Sequence, residues 1–136
     1  MRGGMAAALT AAALALAACS GNKTGTAVDP NLAPTDYERE VLNTLRSSLD
    51  NPVNVREASI SAPALRAVGQ EQRYSVCVRY NARDAANQYV GVKEQIGWFY
   101  AGHLNQLVDP IPGQCAGAAY RPWPALEQLC QAKKCE

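Results

Sequence analysis

The sequence has little of the chemistry on which most enzymes depend. Its 136 residues include a single histidine, His103, which follows a turn glycine. There is no Gly-x-Ser-x-Gly, no His-Glu-x-x-His and no phosphate-binding glycine loop. Nucleophilic catalysis needs a base beside a nucleophile, and the sequence supplies no clear pair. We therefore predict that the protein is not an enzyme.

The sequence also argues against binding of metal ions or nucleic acids. The chain has no Cys-x-x-Cys and only one histidine, so a zinc site is disfavoured and no cofactor is expected. Lys and Arg total 13 against 12 Asp and Glu, and residues 1–18 contain one of these charges, Arg2. The rest of the chain therefore has 12 basic and 12 acidic side chains. Because nucleic acids require clustered positive charge, we expect no nucleic-acid partner.

No apolar run is long enough to cross a membrane. The longest run, residues 5–18, has about fourteen small or apolar residues, whereas a transmembrane helix needs roughly 20. It follows Arg2 and two glycines, which is the layout of a secretory leader. We predict that residues 1–18 are a signal peptide.

The leader ends in a short motif, Leu16-Ala17-Ala18-Cys19, that resembles the lipobox of bacterial lipoproteins. The resemblance implies cleavage before Cys19, a diacylglycerol on its thiol and an N-acyl chain such as palmitate on its new amino group. Two or three acyl chains hold a protein on a membrane almost permanently. The alternative is an ordinary signal peptide, which would leave an unpaired exported cysteine.

The residue after Cys19 bears on location. Ser20 stands where an Asp would resemble an inner-membrane retention signal. We therefore expect the protein in the outer membrane, lipid-anchored and facing the periplasm. Residues 19–34 are rich in Gly, Thr, Asn and Pro and lack an apolar period, so they are predicted to be a lipidated, flexible tether.

Four further cysteines, an even number, are expected to form disulfides, because small exported domains use them to supplement a small core. Three pairings are open, and we favour Cys77 with Cys115 and Cys130 with Cys135.

Residues 35–136 are predicted to be a single α+β domain. Thr35 to Glu38 fits a capping box, and apolar residues follow at spacings of three and four until Asn51-Pro52. The period then changes to two, with a bulge expected near Arg56-Glu57. We predict an N-terminal helix packed on a three- to four-stranded antiparallel meander, a short C-terminal helix over 125–132 and disulfide staples.

The clearest predicted strand has two different faces. Tyr74, Val76, Val78 and Tyr80 alternate with Arg73, Ser75, Cys77 and Arg79. Arginine forks match carboxylates and phosphates, so a cationic face is a candidate site for an anionic ligand. The alternative is an ordinary solvated sheet face. The predicted face consists of Arg73, Arg79, Arg83 and Lys93, with Gln95 beside them.

Aromatic residues near the end of the domain offer a second candidate. They are either core residues or the lining of a ligand groove, and core is favoured. The set is Trp98, Phe99, Tyr100, Tyr120 and Trp123.

Three stretches of the mature chain, "YSVCVRYNARDAANQYVG", Cys115 and "YRPWPALEQLC", are similar to a group of small, uncharacterised bacterial envelope lipoproteins. The resemblance implies export and a shared bridge between Cys77 and Cys115, and it implies no activity.

Together these features predict a lipid-anchored cell-envelope protein that acts by binding. We expect an accessory or structural component of an envelope complex with an envelope-protein partner. The alternative is a glycan- or anionic-ligand-binding lipoprotein that uses the arginine-rich face, with peptidoglycan or lipopolysaccharide as candidate contacts.

Overall fold

A computed structural model of the protein describes residues 25–131 and Cys135. The signal peptide and the acylated Cys19 predicted from the sequence lie outside these residues. The elements are α1 (Tyr37–Ser48), β1 (Asn51–Ser61), β2 (Ala64–Val68), β3 (Glu71–Arg83), β4 (Tyr89–Tyr100), β5 (His103–Val108), β6 (Tyr120–Pro122) and α2 (Pro124–Glu127).

The strands form one six-stranded antiparallel sheet in the order β5-β4-β3-β1-β6, and β2 also pairs with β3. About 47% of the described residues are in strands and 15% in helices. The predicted fold class, a helix on a three- to four-stranded meander, is therefore wrong: the domain is mainly β.

Two short strands account for the error. β2 has only five residues, four of them exposed, so it has no strong alternation of buried and exposed positions. β6 has three residues, ends at a proline and pairs with β1 across more than fifty residues of chain. Such long-range pairing leaves little local signal in a sequence.

One face of the sheet carries the larger core, and we call it the helix face. Val76, Val78 and Tyr80 of β3 are buried there in one cluster with Val41 and Leu45 of α1. Burial of side chains of this size contributes roughly 1.5–3 kcal/mol each. The cluster is completed by Val55, Ala58, Ile60, Ala82, Phe99, Trp123 and Leu126.

The opposite face of the sheet, which we call the disulfide face, carries Arg73, Cys77 and Arg79. Cys77 and Trp98 form a smaller buried cluster there with Ile96 and Cys115. The 109–119 loop lies over this cluster because Cys77 is bonded to Cys115.

Both disulfides have the pairing that we favour from the sequence. Cys77 is bonded to Cys115, and Cys130 is bonded to Cys135. Cys77 and Cys130 are fully buried, so each bridge ends in the interior of the domain.

The helices are shorter than their sequence patterns suggest. Asp36 precedes α1 and makes no side-chain capping hydrogen bond, so the capping box does not form. α2 covers only Pro124–Glu127 rather than 125–132. By contrast, the bulge expected near Arg56-Glu57 is present, since the β1–β3 register shifts there and Glu57 has a φ of 54°.

The last residues of the predicted tether contact the folded domain. The amide of Ala101, in the β4–β5 turn, donates to the carbonyl of Pro30 over 3.0 Å, and Pro34 is buried. Residues 30–34 therefore belong with the domain. Within the described ranges, no helix has the length and apolar character needed to cross a membrane.

Candidate functional site

The register of β3 and β4 decides which predicted site residues lie together. Residues directly opposite each other in an antiparallel pair lie on the same face. Arg79 is opposite Glu94 on the disulfide face, whereas Lys93 is opposite Tyr80 on the helix face. The prediction that Lys93 belongs to the arginine face is therefore wrong.

Lys93 and Gln95 form a separate polar group at the edge of the helix face. The Nζ of Lys93 lies 3.1 Å from Oδ1 of Asp109, and the hydroxyl of Tyr80 donates to Gln95 over 2.7 Å. The hydrogen bonds from Lys93 and then Gln95 lower the pKa of Asp109 below its ordinary value. Burial, with a smaller contribution from the Asp109 charge, raises the pKa of Tyr80 to about 12.

The charge of Arg79 is already compensated. Its Nε lies 2.8 Å from Oε2 of Glu94, and its guanidinium stacks 4.1 Å from the ring centroid of Tyr120. The Tyr120 hydroxyl also donates to Glu94 over 2.7 Å. The hydrogen bonds that Glu94 accepts from Tyr120 and Arg79 lower its pKa. The pKa of Tyr120 is raised, mainly by burial and also by its hydrogen bond to Glu94. Arg79, Glu94 and Tyr120 therefore all contact one another.

Arg83 is the last residue of β3, and it belongs to a second group in which arginines stack on a tyrosine ring. Its guanidinium is 4.8 Å from the ring centroid of Tyr89, and Arg56 is 4.2 Å from the same centroid. The Nη1 of Arg83 donates to Asn87 over 3.0 Å, and the Tyr89 hydroxyl donates to the carbonyl of Asn54 over 2.6 Å. These groups order the β3–β4 hairpin.

Arg73 borders a cavity beside Trp98, whereas Arg83 and Lys93 line other cavities of the domain. Arg73 lies 5.5 Å from the ring centroid of Tyr100, and it pairs with Glu71 over 2.5 Å. On the neighbouring strand Arg66 is directly opposite Arg73. Sequence reasoning missed Arg66 because it missed β2, although the run Ala-Leu-Arg-Ala-Val before Gly69-Gln70 is a weak hairpin signal.

Two adjoining cavities lie beside these arginines. One, of about 350 Å³, is bordered by Arg73, Trp98 and Gln114, and the other, of about 510 Å³, by Arg66, Trp98 and Gln114. Both volumes are within the range of roughly 300–1,000 Å³ usual for small-ligand sites. We call this surface the Trp98 groove, defined by Arg66, Arg73, Trp98, Tyr100 and Gln114.

The predicted aromatic set is divided between the two faces. Phe99 and Trp123 are buried in the core of the helix face. Trp98 and Tyr120 belong to the cluster on the disulfide face, while Tyr100 is 49% exposed. The preferred interpretation, core, therefore holds for most of the set, and Trp98 and Tyr100 also border the groove.

The one histidine has a structural contact. Nδ1 of His103 lies 3.0 Å from Oε1 of Glu40, whose other oxygen accepts the amide of Leu104 over 2.5 Å. This carboxylate joins α1 to β5. Among residues 25–131 and Cys135, no group of three or more His, Cys, Asp or Glu side chains is arranged to hold a metal ion.

The fold and the site define a disulfide-bonded, mainly β domain with an aromatic and cationic groove. The chain matches no protein-family model, no curated protein and no solved structure.

Proposed function

We propose that this chain is a lipid-anchored protein of the cell envelope that acts by binding, as an accessory or structural component of an envelope complex. The supporting observation is the use of its cysteines. Of five cysteines, four are paired in two disulfides, and the fifth is Cys19, which ends the lipobox-like motif. Disulfides persist in oxidising compartments, which favours export.

The proposed location follows from the anchor. A diacylglycerol and an N-acyl chain on Cys19 would hold the chain in the bilayer without any spanning helix. Ser20 favours the outer membrane, and the domain would face the periplasm. Binding is preferred to catalysis because the sequence supplies no clear pair of nucleophile and base.

The edge of β2 is the surface that we propose for a protein partner. In the described part of the chain β2 pairs only with β3, so its other edge has no strand beside it. Leu65 and Val68 on this strand are 46% and 43% exposed. An unpaired edge can accept an extended segment of another protein as an additional strand.

The experiment is site-specific photocrosslinking in living cells. A photoreactive residue at Ala67, exposed on β2, is compared with one at Ala125, exposed on α2. We expect Ala67 to capture one defined envelope protein, Ala125 to capture none, and Cys19→Ala to abolish the capture. Failure to capture a protein from Ala67, or equal capture from both positions, contradicts the proposed role.

A second candidate function, binding of an anionic ligand, is favoured by one specific observation. Arg66 and Arg73 are directly opposed on β2 and β3, and each borders one of two cavities that share Trp98 and Gln114. The site supported is therefore the Trp98 groove, and it uses only Arg73 of the four cationic residues expected from the sequence.

A further inference from the structure

We propose that the Trp98 groove binds a sugar that carries a carboxylate or phosphate group. This inference rests on the second candidate function and names its ligand class. It assigns the anion to Arg66 and Arg73, and the sugar ring to the aromatic and amide side chains around them.

The opposed arginines are the first argument. Two like charges directly across a strand pair destabilise a sheet unless an anion offsets them. Glu71 pairs with Arg73, but its side chain is 68% exposed, so solvent screens that charge. The two arginines and this one acid leave a net positive charge at the groove.

Arg66 has unused hydrogen-bonding capacity. Its Nη1 makes a long contact of 3.4 Å with the carbonyl of Ala116. Its Nε is buried and has no hydrogen-bond partner among the described residues. A buried donor without a partner is costly, and an anion's oxygen would satisfy guanidinium groups with charge-assisted hydrogen bonds.

The remaining lining of the groove suits a sugar ring. Tyr100 presents a half-exposed ring, and Trp98 forms the common wall of both cavities. The amide side chains of Asn105, Gln106 and Gln114 lie around the smaller cavity. Amides both donate and accept hydrogen bonds, which matches hydroxyl groups, and aromatic rings cover the apolar face of a ring-shaped ligand.

The test is a titration of the full-length protein, extracted in detergent with its disulfides intact. The probes are glucuronate, glucose 6-phosphate and, as the neutral control, glucose. Trp98 and Trp123 are the only tryptophans, so NMR of the indole N–H groups distinguishes the groove from the core of the helix face. We expect either acidic sugar, but not glucose, to shift Trp98 alone. No shift of Trp98 with either acid overturns the inference.

Charge-removing variants test the assignment. We expect Arg66→Gln and Arg73→Gln each to weaken binding about tenfold or more, as loss of a charged hydrogen bond predicts. Arg46→Gln removes the same charge from an exposed position at the end of α1 and should change affinity less than about twofold. Equal weakening by all three variants would indicate a general charge effect and overturn the site. Near-UV circular dichroism checks that each variant is folded. Arg73→Lys keeps the positive charge but loses the forked guanidinium, so it should weaken binding less than Arg73→Gln.

Two sources of an acidic sugar can be separated by competition. Displacement of glucuronate by soluble peptidoglycan fragments assigns the site to the wall polymer, and displacement by lipopolysaccharide assigns it to a membrane glycolipid. Either result supports the inference. Ala67 borders the larger cavity, but crosslinking from it reports a captured protein, whereas the titrations report the Trp98 indole. Loss of anion binding and loss of the protein partner therefore give different signals.

Discussion

At the scale of single residues, Glu94 organises the centre of the disulfide face. It accepts a hydrogen bond from Tyr120 and pairs with Arg79, whose guanidinium stacks on the Tyr120 ring. Two side chains, one from β3 and one from β6, thus meet at the carboxylate on β4. An incoming anion would have to compete with Glu94 at Arg79. The acid that pairs with Arg73, Glu71, is more exposed than Glu94, 68% against 31%, which is why we assign the ligand to Arg73 and Arg66.

Tyr120→Phe tests this network, because it keeps the ring and removes only the hydroxyl. The folded-state pKa of Glu94 is below its ordinary value of 4.5, so this group stabilises the fold above that value. Its contribution is lost as the pH falls through the folded pKa. We expect the variant to have a higher Glu94 pKa, to lose about 1 kcal/mol of unfolding free energy at neutral pH, and to show a smaller acid-side loss.

The measurements are carboxyl NMR titration and urea unfolding at neutral and acidic pH. Tyr89→Phe is the matched control, since the Tyr89 hydroxyl bonds to the carbonyl of Asn54 rather than to Glu94. It should leave the Glu94 titration unchanged. An unaltered Glu94 midpoint in Tyr120→Phe would show that the hydrogen bond does not act as described.

Residue-level prediction from the sequence succeeds within one strand and fails between strands. Strict alternation correctly separates Arg73, Cys77 and Arg79 on the disulfide face from Val76, Val78 and Tyr80 on the helix face. Alternation within β4 cannot say which of its faces meets that side, because the register is set by pairing rather than by either strand alone. The sequence alone therefore could not show that Lys93 lies on the helix face, opposite Tyr80.

At the scale of elements, one carboxylate anchors α1 to the edge of the sheet. Glu40, in the first turn of α1, accepts the Leu104 amide and contacts His103. Glu38 forms an ion pair with Arg121 of β6, at the other edge of the sheet. The helix is therefore held at both edges of the sheet as well as by its buried stripe.

Replacement of Glu40 with Ala tests the anchor. The variant leaves the Leu104 amide without its acceptor, and loss of a hydrogen bond to a charged group costs about 1.5–3 kcal/mol. We expect a loss of unfolding free energy near the lower end of that range. Arg39→Ala is the matched control on the same helix. It breaks an exposed pair with Asp36 and should cost less than about 0.5 kcal/mol. Equal effects in urea unfolding would contradict the anchor.

The elements with a strong local period could be predicted, and those defined by distant pairing could not. α1, β1 with its bulge, β3, β4 and β5 all show clear patterns, and the structure contains each of them. β2 and β6 are short, and their pairing partners determine them. Missing β2 also meant missing Arg66, so the groove itself could not be found from the sequence.

At the scale of the whole molecule, the disulfides compensate for a small core. Cys77 and Cys115 enclose a span of 38 residues, and Cys130 and Cys135 a span of 5. Chain-entropy arguments give about 4 kcal/mol for the longer loop and about 2 for the shorter. The longer bridge also holds the 109–119 loop, and hence Gln114, against the groove.

Paired alanine replacements test this ranking. We expect the Cys77→Ala, Cys115→Ala double variant to lose about 4 kcal/mol of unfolding free energy and the Cys130→Ala, Cys135→Ala double variant about 2. Urea unfolding of each protein measures both values. An inverted order would contradict the importance given to the longer bridge.

The anchor and the disulfides together can be tested in one measurement, the intact mass of the protein extracted from membranes and treated with a thiol-alkylating reagent without reduction. Our account predicts a chain that begins at Cys19, carries diacylglycerol and an N-acyl chain, lacks four hydrogens because of its two disulfides, and takes up no alkyl group. A chain without acyl mass, or one with an alkylated Cys19, would contradict the proposed lipid anchor.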